Sequence, residues 1–199
     1  MRVLVTGYAG FIGTHLCEAL DIAGHSVGGI DIAPLSGHPV FPALGFDITE
    51  SGGMAYCEER LGVGTIDACV HLAAIASPPL AAKDPARAWD VNVRGARNVL
   101  ELCRNIGCKR IIFASSAHVY AIPPRVLPTN ENQPLNPFDS YTATKILGEE
   151  LCDLYWDNHG LSYCALRFFN VYGGGQSADY FIGAKLKQAR EGQLTLRSG

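Results

Sequence analysis

Tyr141 and Lys145 stand four residues apart in the run YTATK, and a serine pair, Ser115-Ser116, lies upstream of them. On a helix this spacing puts both side chains on one face. A free phenol, with a pKa of about 10, is a poor base at neutral pH. An adjacent ammonium favours its ionised form. If Ser116 hydrogen-bonds the same oxygen, the three side chains can move a proton on or off a hydroxyl while hydride leaves or arrives at its carbon. The competing chemistry is attack by a serine. That needs an activating His and acid, usually with the serine in a G-x-S-x-G turn. Neither Ser115 nor Ser116 has that context, and His118, two residues along an extended stretch, is not placed to activate Ser116.

A second constellation lies at the N-terminus. Gly7-Tyr8-Ala9-Gly10-Phe11-Ile12-Gly13 reads GxxGxxG between a β-branched run and an apolar stretch at helical spacing. Gly7 permits a tight turn, Gly10 a close backbone approach to a pyrophosphate, and Gly13 close helix–sheet packing. The free N–H groups from Ala9 through Phe11 and Ile12 would then hold the diphosphate. Asp31 follows Gly13 by 18 residues, with Ile32 beside it. A carboxylate there accepts from both ribose hydroxyls of NAD and repels the extra phosphate of NADP, and no arginine immediately follows to compensate. NAD is the expected cofactor. Asp47 is expected to accept the adenine amine, with Ile48 packed on the ring. In His71-Leu72-Ala73-Ala74, small residues let the cofactor pass, and His71 reads as a satisfied strand-end histidine.

These residues need elements to hold them. Strands are expected at 2–6, 26–32, 46–48, 66–72, 110–115 and 162–168. Helices are expected at 11–23, 53–61, 85–105, 141–158 and 180–191, and the proline-rich stretch 33–45 reads as a loop. Such alternation implies an α/β fold, a Rossmann-like doubly wound, mostly parallel sheet with helices on both faces. Residues 1–175 are expected to form this domain and 176–199 to begin a second one.

Composition narrows the partners. The 199 residues are 48% hydrophobic and 18% charged, and 16 Lys and Arg against 19 Asp and Glu leave a net charge of -3. That balance offers no basic field for nucleic acid. No apolar run approaches the roughly 20 residues that cross a bilayer, and the opening residues lack the pattern of a secretory leader. Seven scattered cysteines, with no CxxC pair, imply reduced thiols, no metal site and a cytoplasmic location.

Taken together, VTGYAGFIG, Asp31, Asp47-Ile48, HLAA, NVRG, FASSAHVY, YTATK and RFFNVYG resemble the extended short-chain dehydrogenase/reductase superfamily, in its NAD-dependent nucleotide-sugar epimerase/dehydratase branch. The resemblance covers almost the whole chain. It implies that Tyr141 is the acid/base, that Lys145 binds the nicotinamide ribose and lowers the tyrosine pKa, and that Ser116 contacts the reacting sugar hydroxyl. Asn92 is expected to support this region and the cofactor. Ser115, Phe168 and Val171 are assigned to the cofactor side, and Ser77, His118 and Asn170 to the substrate side. Homodimers are expected through helices at about 85–105 and 141–158. Dehydratases of this branch commonly carry Asp-Glu after the Ser/Thr, where this chain has Ala117-His118. That favours 4-epimerisation of a nucleotide sugar over dehydration. The alternatives are a dehydrogenase or reductase using the same trio, or an NAD-binding protein without turnover. Two departures stand out. Ala121, followed by Ile122-Pro123-Pro124, replaces the usual glycine after VY, and the chain stops where most of a smaller substrate domain would follow.

Overall fold

Val3, Leu4 and Val5 are all buried in β1 (Arg2–Thr6), although successive strand residues point to opposite faces. Such a strand needs cover on both sides. The computed structural model describes residues 1–33, 40–121, 123–124, 126–178 and 180–193, and it supplies that cover. Leu4 joins Ile30, Cys69, Ile111 and Phe113 in a core with helical residues such as Cys57, Leu61, Val99, Leu102 and Cys152. Val3 and Val5 join Val27 and Val70 on the other face, against Cys17, Leu16 and Leu20.

The strands are β1, β2 (Ser26–Asp31), β3 (Val40–Gly45), β4 (Ala68–His71), β5 (Arg110–Ser116) and β6 (Ser162–Phe168). All pair in parallel, in the order β3-β2-β1-β4-β5-β6. The chain reverses direction across the sheet between β1 and β4. In open α/β sheets such a reversal leaves a crevice at the carboxyl ends of the strands. Thr6 lies opposite both Ile30 and His71 there, and Ser116 opposite Phe168.

The helices are α1 (Phe11–Ile22), α2 (Ser51–Leu61), α3 (Pro78–Lys83), α4 (Pro85–Trp89), α5 (Ala96–Asn105), α6 (Ser140–His159) and α7 (Phe181–Arg190). Asp139 caps α6 by accepting from the Thr142 amide at 2.7 Å, which fixes Tyr141 in the first turn. Gly148 brings α6 close to β5, since a Cβ there would lie 2.2 Å from Cζ of Phe113.

Three elements differ from expectation. The third strand is Val40–Gly45, not 46–48, and it holds Pro42. It lies at the sheet edge, where its register with β2 shifts between Val27 and Gly29, so the missing proline N–H is tolerated. Residues 34–39 of the expected loop, with Ile122 and the stretch 194–199, lie outside the described residues. The single helix expected at 85–105 is α4, a π-helical turn over Asp90–Gly95, and α5. The turn carries Asn92 inward, and Gly95 admits Ile48, whose Cδ1 would lie 2.7 Å from a Cβ there. The third difference is α3, absent from the expected elements although Ser77 before Pro78-Pro79 is a helix-start signal, with Ser77 Oγ accepting from the Leu80 amide.

The chain divides into two compact units, Met1–Phe169 and Asn170–Gly199. In the second, Gly183 lies against Ser177, whose carbonyl oxygen would be 2.3 Å from a Cβ. All seven cysteines are free, and only Cys164 is exposed. Burial pushes Cys17 and Cys57 up to about 11 and Cys152 to about 12, so none of the three is a ready thiolate. Among the described residues no helix is long and apolar enough to cross a membrane, and no group of side chains would hold a metal ion.

Candidate active site

The glycine loop follows β1 directly. Gly7 has φ +70°, and a Cβ on it would lie 2.7 Å from the Ala73 nitrogen. A Cβ on Gly13 would lie 2.3 Å from the Gly7 carbonyl oxygen. Both positions therefore exclude a side chain. Gly10 is the N-cap of α1 and offers no capping side chain. The first-turn N–H groups after it, at Phe11, Ile12 and Gly13, have no intrahelical acceptors. A bare cradle of amides at a helix N-terminus fits the diphosphate of a dinucleotide.

Asp31 closes β2 beside that cradle. Its Oδ2 accepts from the Ala9 amide at 3.0 Å and its Oδ1 from the Ala33 amide at 3.0 Å. These bonds orient the carboxylate and leave it lone pairs for a ribose diol. Ile32 is exposed. Thr6 ties the loop to the end of β4: its hydroxyl accepts from the Ala73 amide at 3.3 Å and lies 2.6 Å from His71 Nδ1. Burial, with the Lys145 charge adding, pushes His71 down to about 3, so the imidazole is neutral. We assign its Nδ1 as the acceptor of the Thr6 proton. His71 is thus a satisfied strand-end residue, and the Leu72–Ala73 backbone lies against Gly7 of the loop.

Asp47 is already engaged. It accepts from the Thr49 amide at 2.9 Å, the Thr49 hydroxyl at 2.8 Å and the Arg87 guanidinium at 2.5 Å. Burial alone would raise its pKa, but these donors outweigh that and hold it below the usual carboxylate range. Ile48 is buried in the core under Gly95, and its carbonyl accepts from Asn98 at 2.8 Å. Asn92 accepts from the Ile75 amide at 2.7 Å and donates to the Ile75 carbonyl at 3.1 Å and to Thr144 Oγ1 at 3.0 Å. It braces the stretch after β4 against α6, a use of its whole amide.

Tyr141 and Lys145 meet at the carboxyl end of β5. Both are buried, and Lys145 Nζ donates to the Ala114 carbonyl at 2.8 Å. The ammonium lies 5.3 Å from the Phe113 ring centroid and 6.0 Å from that of Tyr141. Burial lowers its pKa to about 8. Ser116, two residues beyond Ala114, is buried, and its Oγ accepts from the His118 amide at 3.2 Å. The exposed His118 ring stands edge-on to Tyr141, with centroids 6.2 Å apart. Ser115 donates a hydrogen bond from its hydroxyl to Glu149. Phe168 ends β6 opposite Ser116. Asn170 and Val171 belong to the second unit.

Residues 3–199 match the model of the NAD dependent epimerase/dehydratase family. The chain belongs to this family. It is 36% identical over 185 residues to a UDP-glucose 4-epimerase of Lactobacillus helveticus, covering 92% of this chain and 55% of that one. Among solved structures it is similar to the UDP-glucose 4-epimerase of Thermus thermophilus in complex with NAD, with TM-score 0.80, 33% identity and coverage of 89% and 58%. It is also similar to a GalE-like L-threonine dehydrogenase from Cupriavidus necator, with TM-score 0.75, 29% identity and coverage of 84% and 55%. The chain spans about half the length of the curated relatives it matches.

The partners of Ser115 and Asp47 were not expected from the sequence. Glu149, buried on α6, accepts a hydrogen bond from the Ser115 hydroxyl and pairs with Arg167 at 2.7 Å. One signal was available: Glu149 follows Lys145 by four residues, so it shares the face that meets the sheet.

Proposed function

We propose that this chain binds NAD and takes part in interconverting the C4 epimers of a nucleotide sugar, with Tyr141 as acid/base. The observation that carries this reading is the position of the Lys145 ammonium, at the end of β5 and on the far side of the β1–β4 reversal from Asp31. Its Nζ donates to the Ala114 carbonyl at 2.8 Å, two residues before Ser116, and lies 6.0 Å from the Tyr141 ring centroid. The glycine loop and the first turn of α1 would hold the diphosphate, Asp31 a ribose, and Lys145 the nicotinamide ribose. Bound there, NAD supplies a reversible hydride acceptor.

Tyr141 takes the proton of the C4 hydroxyl as that carbon is oxidised, and returns it when the carbon is reduced on its other face. The Lys145 ammonium favours the phenolate that accepts this proton. Ser116 hydrogen-bonds the same oxygen and fixes its direction. Ala117 offers no acid or base at the position after Ser116, which favours epimerisation over loss of water. Ser77 and His118 are assigned to the sugar nucleotide. Two copies would pair through α4, α5 and α6, where Trp89, Leu147, Leu154 and Trp156 expose apolar surface. The likeness to a threonine dehydrogenase favours a second reading, net oxidation of another hydroxyl by the same trio.

Tyr141→Phe tests the assignment. NAD affinity should stay within about twofold while nicotinamide reduction by nucleotide hexoses falls by at least about a hundredfold. Reduction at the parent rate in the variant would remove Tyr141 from the chemistry.

A further inference from the structure

Glu149 follows Lys145 by one helical turn and Tyr141 by two, so the three share one stripe of α6. Glu149 is only 7% exposed. Ser115, immediately before Ser116, donates to its Oε1. Arg167 of β6 grips both oxygens, Nε donating to Oε1 at 3.0 Å and to Oε2 at 3.2 Å, and Nη2 to Oε2 at 2.7 Å. From the other side of the guanidinium, Nη1 donates to the Tyr120 hydroxyl at 3.2 Å and the Glu131 carbonyl at 3.0 Å. The same group lies 5.0 Å over the Tyr120 ring. The stretch it holds is itself a small bridge: Tyr120 pairs with Leu135, and the Asn136 amide donates to the Val119 carbonyl at 2.8 Å.

One carboxylate–guanidinium pair therefore joins α6, the end of β5, the end of β6 and the backbone that follows Ser116. A buried ion pair is a poor source of stability, because desolvation offsets most of its attraction. What a bidentate fork supplies is direction. We infer that Glu149 and Arg167 are positioning residues for the reaction, holding Ser116 against the Tyr141 and Lys145 face without touching substrate or cofactor. This inference rests on the roles given above to Tyr141, Lys145 and Ser116.

The test compares the full chain with Glu149→Gln, Arg167→Met and the double variant Glu149→Met/Arg167→Met. The double variant removes both charges, so neither is left buried and unpaired, and it should recover most of the melting temperature the single variants lose. NAD affinity should stay within about twofold in all three variants. Single-turnover nicotinamide reduction should stay at least about tenfold below the parent even in the stable double variant, because reacting groups misplaced by a fraction of an ångström lose rate before they lose binding. Amide hydrogen exchange should accelerate about tenfold at residues 115–120, while β1 and β4 keep their parent protection. A double variant with parent-like reduction and parent-like exchange at 115–120 would overturn the inference, as would acceleration spread evenly over the sheet. If the parent itself reduces no nicotinamide with any nucleotide sugar, the functional reading fails, and the exchange comparison still decides what the pair does.

Discussion

Replacing Lys145 with methionine should change how the stability of the protein depends on pH. The ammonium is buried, with the Ala114 carbonyl as its hydrogen-bond acceptor, and burial lowers its pKa from 10.5 to about 8. At about 1.4 kcal/mol for each tenfold, that fall corresponds to about 3 kcal/mol of preference for the neutral amine in the folded state. The folded pKa lies below the unfolded one. Between about pH 8 and 10.5 the unfolded chain therefore keeps a proton that the folded chain has released, and this group makes stability rise with pH across that window. Below about pH 8 the penalty is fully present. Urea unfolding is compared with lysine and with Lys145→Met, both in a Tyr141→Phe background so that the neighbouring phenol does not titrate. Measured at intervals from about pH 7 to about pH 10.5, it isolates the contribution, because more distant titrating groups cancel in the difference. The stability of the lysine chain relative to the methionine chain should rise by about 3 kcal/mol over that range. Parallel pH profiles would refute the buried, depressed ammonium. At neutral pH the group remains mostly charged, as the proposed effect on the Tyr141 phenol requires.

Gly148→Ala should cost roughly 1–3 kcal/mol in urea unfolding, because the added methyl would sit 2.2 Å from the buried Phe113 ring, and Phe113→Leu in the same chain should recover part of it. Asp31→Ser should weaken NAD by roughly ten- to a hundredfold and NADP far less, read as the ratio of the two dissociation constants, since it removes a charged acceptor for the ribose hydroxyls.

Much of this arrangement is legible in the sequence because single residue types carry it. Gly7 and Gly13 stand where backbone would fill the space of a Cβ, and a glycine spacing between strand and helix announces that directly. Tyr141 and Lys145 need only a helix, and Asp139 starts it where expected. The third strand differs because Pro42 reads as a loop residue, whereas an edge strand with a register shift accommodates it. The π-helical turn at Asp90–Gly95 follows from the long-range fits of Asn92 to Ile75 and Thr144 and of Ile48 to Gly95. No local pattern encodes those. Glu149 and Arg167 escape notice for a related reason: single charges on a helix and a strand read as solvated surface until the sheet register sets Ser115 opposite Arg167.

Everything proposed above depends on this chain assembling a site in which Tyr141 moves the proton of a sugar hydroxyl beside bound NAD. The decisive observation is the near-ultraviolet absorbance of reduced nicotinamide after rapid mixing of NAD-loaded protein with UDP- and dTDP-hexoses, in the parent and in Tyr141→Phe. The parent should show a transient rise with one class of sugar, followed by return of NAD together with product inverted at C4, and the variant should show no rise. NAD shown to be bound, with no rise for any sugar in the parent or an equal rise in Tyr141→Phe, would contradict that site.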